Sequence, residues 1–415
     1  MNIWVVNEGE HIPELTGKGR TMRGGMLANY FSNPADNDVT WWFSTFMHYE
    51  KKYYADKQVK IDLKPNLHLK MLHSKKAYKK NISFARIKYC KLLARELKNE
   101  MAKAQKPDVI YCSWPLIEEA YECVKYGKEN NIPVVIDIRD FWPDIFTQPF
   151  QGIIKKAAEV AVNLLYGKKT RYVMQNADEV VGIIPKVFNL SEKYGRQIKE
   201  CDHTVYLAYQ KNDDKNITDR DKKFLNDIGI KENDFLVVYF GTVNNRVDNM
   251  NMLIEAAAEN KNRNVKFVIC GQGMAYDECF SKTRDMKNII FTGLLNSKQI
   301  CEIASKAKLG LLPYRDTDDF KNSLPNKFAE YLSYGLPILT SLSGFSKTVV
   351  EEKQCGMYFK DSDELNEKIQ MYFEDRKLLE EQSQNALDLF NKDFSADIVY
   401  NKFLKDIENL ADNKN

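Results

Sequence analysis

The stretch SLPNKFAEYLSYGLPILTS, Ser323–Ser341, opens polar and Pro-broken, turns amphipathic and ends purely apolar. Its spacing predicts a helix starting near Pro325, because proline is favoured in a first turn where its missing N–H is not needed. LPILTS then reads as a buried strand. Phe328, Tyr331 and Leu332 share one face of the helix, and Lys327 and Glu330, three apart, share another. A helix N-terminus with a lysine in its first turn suits a diphosphate, and a carboxylate one turn deeper suits the two hydroxyls of a ribose. The same two residues also make an ordinary i,i+3 ion pair contributing about 0.3 kcal/mol. Spacing alone leaves both readings open.

Outward from this stretch the same grammar recurs. FLVVYFG, VKFVICGQG, NIIFTG and LGLLPY read as strands separated by helices such as MNMLIEAAAEN and SKQICEIASKAK, and GMYF precedes a helical tail from about Asp361 to Leu410. The first half repeats it with NIWVVN, DVTWWFS, PDVIYCSW, PVVIDIRDF and ADEVVGII, spaced by GGMLANYF and IIKKAAEVAVNLLYGKKTRYVMQN. Strands alternating with helical spacers predict an α/β chain of doubly wound parallel sheets. The polar run YQKNDDKNITDRDKKFLNDIGIKEND is the expected junction. At 415 residues the chain exceeds what one core of roughly 250–300 residues supports. The expectation is two Rossmann-like domains facing a central cleft: residues 1–209, with a C-terminal helix at 395–415 packing back on them, and 210–394.

A hydrophobic content of 44% is ample for such cores, and a net charge of +3 gives no reason to expect a nucleic-acid partner. Charge is nevertheless concentrated between Lys64 and Lys106, where Leu67, Leu69, Leu72, Tyr78, Ile82, Phe84, Ile87 and Tyr89 are interleaved with lysines. Such a segment suits either an anionic membrane surface or a solvated helix with a basic outer face. Ile153–Lys169 carries the same ambiguity, as a membrane-surface helix or as a core helix with solvated tips. No apolar run approaches the roughly 18–20 residues of a membrane span, and MNIWVV leads into polar residues, not a cleavage site. The expected location is cytoplasmic, or peripheral at the inner face of the membrane. The eight cysteines lack a C-x-x-C pair and read as reduced core thiols.

Ligands of open parallel sheets bind at the carboxyl ends of strands, so the loops just after strands carry the candidates. In GQGM, Gly271 and Gly273 permit close backbone approach to a ligand, or simply make a turn. Asp137, Arg139 and Asp140 end a strand and suit either functional roles or a buried Arg–Asp pair that fixes the loop before Trp142. Arg20 and Arg23 lie in a glycine-rich loop and suit a phosphate, or are surface charges. His48, Ser113 and Trp114 follow strands and are candidates for an acceptor groove. No His, Cys or carboxylate cluster has metal-ligand spacing, so no metal and no cofactor is expected.

Together these segments resemble the retaining GT-B glycosyltransferases of family four, in its bacterial polysaccharide and lipid-linked-oligosaccharide branch. The likeness is most specific over Phe291–Ser341, where S-x-P-x-K-x-x-E-Y-x-x-x-G-x-P-I runs from Ser323 to Ile338. It extends to GR-x-x-R-x-G at Gly19–Gly25, to Trp41 and Trp42, and to IRDFWPD at Ile138–Asp144. The resemblance implies a nucleotide-sugar donor, UDP-linked, held by Glu330 at the ribose. The backbone at Leu324, Pro325 and Asn326 and the Lys327 ammonium would hold the diphosphate, and Asn322, at a position near the transferred sugar, and Ser323 would also bind the donor. Leu294 would border the base, Gly241 and Thr242 would face the phosphates, and Gly24 with Gly25 would lie near donor phosphate and acceptor.

Three departures stand out. Asn322 replaces the first of two glutamates eight apart, Asp248 and Asn249 replace a Lys-Gly pair and leave Arg246 as the nearest cation, and Arg139, followed by Asp140, stands where a histidine is common. The resemblance therefore implies that Lys327, Arg246 or Arg139 stabilises the leaving diphosphate, while a donor phosphate oxygen takes the acceptor proton. The implied acceptor is a hydroxyl of a surface glycan or polyprenyl-linked glycan. Two rival readings are a non-catalytic GT-B partner that binds a nucleotide sugar or another transferase, and a nucleotide-sugar epimerase.

Overall fold

The computed structural model describes residues 1–414 other than 18, 82, 149, 212–223, 246, 318 and 319. Ile82, Arg246 and residues 212–223 of the predicted junction lie outside the described residues. The chain forms two compact units, Met1–Tyr206 with Val399–Asn415, and Leu207–Ile398.

The first unit holds an eight-stranded sheet built from β1 Asn2–Val6, β2 Asp38–Ser44, β3 Val59–Lys64, β4 Leu67–Leu72, β5 Val109–Trp114, β6 Val134–Ile138, β7 Glu179–Gly182 and β8 His203–Thr204. Their order is β8-β7-β6-β5-β1-β2-β4-β3, and only β3 runs antiparallel to its neighbour. β5 and β6 are buried at every residue, as expected for central parallel strands covered on both faces. The basic segment is not one helix. Its LHLKML portion is β4, with Leu67, Leu69, Met71 and Leu72 in the core, because alternation outweighs the lysines. Helix Phe84–Met101 follows a loop, is N-capped by Ser83, which accepts from Arg86 N at 3.2 Å, and buries Tyr89, Leu93, Leu97 and Met101 at a spacing of four.

Ile153–Lys169 is no core helix either. It divides into helix Gly152–Val162, which buries no residue, a π turn at Asn163–Gly167, and the start of helix Lys168–Asn176. The last helix, Ala396–Asp412, places Tyr400 against Tyr30 and Phe403 against Phe31 and Tyr111 of the first unit.

The second unit holds six parallel strands, β9 Phe235–Phe240, β10 Val265–Cys270, β11 Ile289–Gly293, β12 Ala307–Leu312, β13 Ile338–Thr340 and β14 Gly356–Tyr358, in the order β11-β10-β9-β12-β13-β14. Each sheet therefore has a point where successive crossovers turn in opposite directions. In the first, β1 lies between β2 and β5; in the second, β9 lies between β10 and β12. The carboxyl ends at such points leave a crevice where loops and helix N-termini converge. The eight cysteines are free; Cys201 is exposed and Cys90 and Cys301 are half-buried, so only five are core thiols. Among the described residues no helix is long and apolar enough to cross a membrane.

Candidate functional site

In the second unit the predicted helix spans Asn326–Ser333, with Pro325 as its N-cap, one residue later than its sequence suggests. Pro325 provides no side-chain cap to the first turn, which begins with Asn326 and Lys327. Tyr331 anchors this helix. Its hydroxyl accepts from Phe240 N at 2.9 Å and donates to Leu311 O at 3.1 Å, while its ring lies over Gly310, where a Cβ would come within 2.6 Å. The helix N-terminus is thereby fixed at the carboxyl ends of β9 and β12.

Lys327 reaches across the end of β9. A Cβ at Gly241 would stand 2.4 Å from Lys327 Cε and 2.6 Å from Tyr239 Oη, so only glycine lets this side chain pass. Asp248, 3% exposed, lies within the Lys327 field. Burial pushes its carboxyl up to about 6, against the opposing pull of Tyr239 and Lys327. Glu330 is 8% exposed and follows Lys327 by one turn. Asn322, Ser323 and Leu324 lead into the helix; Leu324 is buried, the Ser323 hydroxyl donates to Phe320 O at 2.7 Å, and the Ser323 backbone carbonyl accepts from Ser346 Oγ at 2.8 Å. Thr242 is exposed beside Gly241, and Leu294, just past β11, is 74% exposed, a bare apolar edge suited to a planar ring.

The glycines of GQGM serve the protein's own backbone. A Cβ at Gly271 would meet Gly241 O at 1.7 Å, and one at Gly273 would meet Val243 O at 2.2 Å. Gly271 also donates its N–H to Gly293 O at 2.9 Å. The close approach seen here is loop against loop at the end of β9. A groove of about 880 Å³ lies by Phe235, Asn264, Ala307 and Arg376, at the amino ends of the strands, away from this convergence.

In the first unit the same end of the sheet is filled by its own charges. Arg23, 4% exposed, forks onto Asp137, with Nε to Oδ2 at 2.7 Å and Nη2 to Oδ1 at 3.1 Å, and its Nη1 donates to Tyr206 O at 2.9 Å. Tyr111 also donates to Asp137. Burial opposes the Arg23 charge, and Asp137 more than offsets it, raising the pKa. Arg23 is therefore a buried structural cation and not a loop residue reaching for phosphate. Arg139 donates from Nη1 to Glu10 Oε1 at 2.5 Å, from Nε to Ser113 Oγ at 2.7 Å and from Nη2 to Asn7 Oδ1 at 2.7 Å. Ser113, 2% exposed, orients Arg139 and does not line a groove.

Trp114 is fully buried, with its indole N–H on Trp142 O at 2.9 Å, so it belongs to the core. The amides of Gly24 and Gly25, at the start of helix Arg23–Phe31, donate to Glu10 at 3.0 and 3.2 Å. A Cβ on Gly24 would stand 1.9 Å from Asn7 Nδ2, and one on Gly25 2.9 Å from Trp41 Cη2, so both glycines serve close packing. Asp140 follows Arg139 and is half-buried; Arg20 is exposed. His48 stands in the loop after Phe46–Met47, its Nδ1 2.6 Å from Tyr78 Oη; burial, then Lys51 and Arg86, lower its pKa to about 4.

Glu10, Asn7, Asp248 and the anchoring hydroxyl of Tyr331 are site residues the sequence reading missed. Glu10 was findable, since it stands in the loop just after β1. Among the described residues no group of three or more His, Cys, Asp or Glu side chains is placed to hold a metal ion.

Residues 234–375 match the family described as Glycosyl transferases group 1. No curated protein matches the chain in sequence. Among solved structures the chain is similar to HepE of Anabaena, solved with UDP, at 13% identity over 99% of this chain and 100% of that one, TM-score 0.67. It is similar to sucrose-phosphate synthase from Thermosynechococcus elongatus at 11% identity over 99% and 98%, TM-score 0.71. It is also similar to WaaG, a glycosyltransferase involved in lipopolysaccharide biosynthesis, at 14% identity over 98% and 99%, TM-score 0.62. At these identities the likeness is one of fold, the GT-B architecture.

Proposed function

We propose, from the premise that residues 234–375 belong to the glycosyl transferases group 1 family on a GT-B fold, that this retaining glycosyltransferase moves a sugar from UDP to a glycan hydroxyl. The observation that carries the donor half is the Lys327–Glu330 arrangement: a helix N-terminus and a cation at the end of β9, with a buried carboxylate one turn further. In this reading Lys327 and the first-turn amides neutralise the departing diphosphate, Glu330 accepts from the ribose hydroxyls, and Leu294 covers the uracil. Asn322, Ser323, Leu324, Pro325, Asn326, Gly241 and Thr242 shape the diphosphate side.

A leaving group stabilised by fixed dipoles and one ammonium needs little reorganisation during transfer. The donor's own phosphate oxygen takes the acceptor proton. Arg139 and Asp140 mark the acceptor end of the first unit, with Arg139 held by Glu10, Ser113 and Asn7.

The acceptor we infer is a surface glycan or a lipid-linked glycan at an anionic membrane. Helix Gly152–Val162 supports this, with Ile153 87%, Ile154 65% and Val160 61% exposed and Leu164 80% exposed in the turn that follows. Lys155, Lys156 and Lys168 accompany this apolar arc against the single acid Glu159, the charge pattern of an interfacial helix. Pelleting with phosphatidylglycerol vesicles and not with phosphatidylcholine is expected, and equal behaviour with both would count against it.

The deciding experiment is a panel of UDP-, GDP- and dTDP-sugars scored by binding and by slow donor hydrolysis. UDP-sugar binding with hydrolysis that falls about 100-fold in Glu330→Ala supports the reading, since two charge-assisted hydrogen bonds are lost. Unchanged hydrolysis in that variant would sink it.

A further inference from the structure

Glu10 occupies a place built for an anion. Its carboxylate, in a residue 5% exposed, accepts from Gly24 N at 3.0 Å to both oxygens, from Gly25 N at 3.2 Å and from Arg139 Nη1 at 2.5 Å. The amides open the nine-residue helix Arg23–Phe31, whose N-cap Met22 contributes no side-chain cap. Backbone N–H groups, a helix dipole and a guanidinium together are the usual grip on phosphate.

An independent observation shows that the carboxylate does not use every donor present. Asn7 is 2% exposed, and its Oδ1 accepts from Arg139, but its Nδ2 has no hydrogen-bond partner. A Cβ on Gly24 would lie 1.9 Å from this Nδ2 and 3.0 Å from Glu10 Oε2, so the idle donor borders the seat. A buried amide without a partner costs about 1–3 kcal/mol, and a larger anion with more acceptor oxygens would recruit it.

We propose that Glu10 is a resident anion that closes this seat to phosphate and makes the end of the first sheet selective for an uncharged, hydroxyl-bearing ligand. Glu10 acts as a positioning and selectivity residue: it aims Arg139 and cancels the attraction that Arg139 and the helix N-terminus would exert on a phosphomonoester. The seat exists whether or not the ligand is a sugar acceptor; only the word acceptor rests on the function proposed above.

The test is thermal stability titrated with inorganic phosphate, at ionic strength held constant with chloride, for wild type, Glu10→Gln and Glu10→Ala. Removing the carboxylate leaves the Arg139 charge without its strongest partner and frees both amides. Both variants should bind phosphate at least about tenfold more tightly than wild type, seen as a melting temperature that climbs with phosphate concentration. Adding Arg139→Ala to Glu10→Ala should abolish the gain.

Wild type that binds phosphate as well as the variants would overturn the proposal, because the seat would then be open. Variants that fold and gain no phosphate affinity would overturn it too. Glu10→Gln keeps shape and hydrogen-bond acceptor, so its failure to fold would also count against a selectivity role, making the carboxylate a structural requirement instead. Because no nucleotide sugar is present, the outcome is independent of whether the chain transfers sugar.

Discussion

Each sheet ends in a crevice of the same topological kind, and the two crevices are filled in opposite ways. At the end of β1 the charges answer one another within the protein, Arg23 with Asp137 and Arg139 with Glu10, and the glycines admit neighbouring side chains. At the end of β9 a lysine crosses a glycine, Asp248 within its field is held up to about 6 by burial, and a helix N-terminus has no side-chain cap. Topology fixes where a site lies, and the balance of internal charge decides what enters it. One crevice has neutralised itself; the other retains attraction for an anion.

The sharpest way to break this contrast is Arg23→Ala. If the first crevice is internally neutralised, the variant leaves the fully buried Asp137 carboxylate with Tyr111 and, at 3.8 Å, Arg139 in place of its bidentate partner, and unfolding by urea should show a loss of about 3 kcal/mol, with UDP affinity unchanged. A stable variant that loses transfer activity would instead assign Arg23 to a ligand. Gly241→Ala tests the second crevice. The new Cβ displaces Lys327, and affinity for UDP-glucose should fall about tenfold with little change in melting temperature. Gly24→Ala should do the reverse, lowering stability through the clash with Asn7 while leaving nucleotide affinity intact.

The smallest effect expected is on pH. Asp248 has a pKa raised from 3.8 to about 6, so between those values the folded protein keeps a proton that the unfolded chain has released. Its contribution favours folding at low pH and is lost as pH rises through 6. Protonation also removes one negative charge from the Lys327 field. UDP-glucose, whose diphosphate does not titrate in this range, should bind about threefold more tightly at about pH 5 than at about pH 7.5, and Asp248→Asn should flatten the difference. A profile that persists in Asp248→Asn would remove Asp248 from the site.

Much of the fold was legible because central parallel strands leave an apolar run, as VIYCSW, VVIDI and FLVVYF do. β3 and β4 were hidden because lysines on the solvated face made an alternating hairpin look like a basic surface. Helix Asn326–Ser333 could be read for the opposite reason: proline, apolar period and charges all lie within one turn of each other. Arg23 and Asp137 are 114 positions apart, so their pairing could not be seen from local spacing. The same holds for Glu10, whose role depends on which helix N-terminus folds over it. Asp248 looked like the loss of a lysine, and only its burial beside Lys327 gives it a chemical property of its own.

Tyr331 adds a mechanical consequence. Pairing between β9 and β12 runs from Leu236 to Val238 and stops, and beyond it the phenol oxygen takes one hydrogen-bonding group from each strand, Phe240 N and Leu311 O. The two strands are thus held apart by the width of a hydroxyl, like the jaws of a clamp set by a spacer. The gap is a fixed length, so the carboxylate of Glu330, one residue earlier on the same helix, is measured off from the sheet itself instead of from a loop.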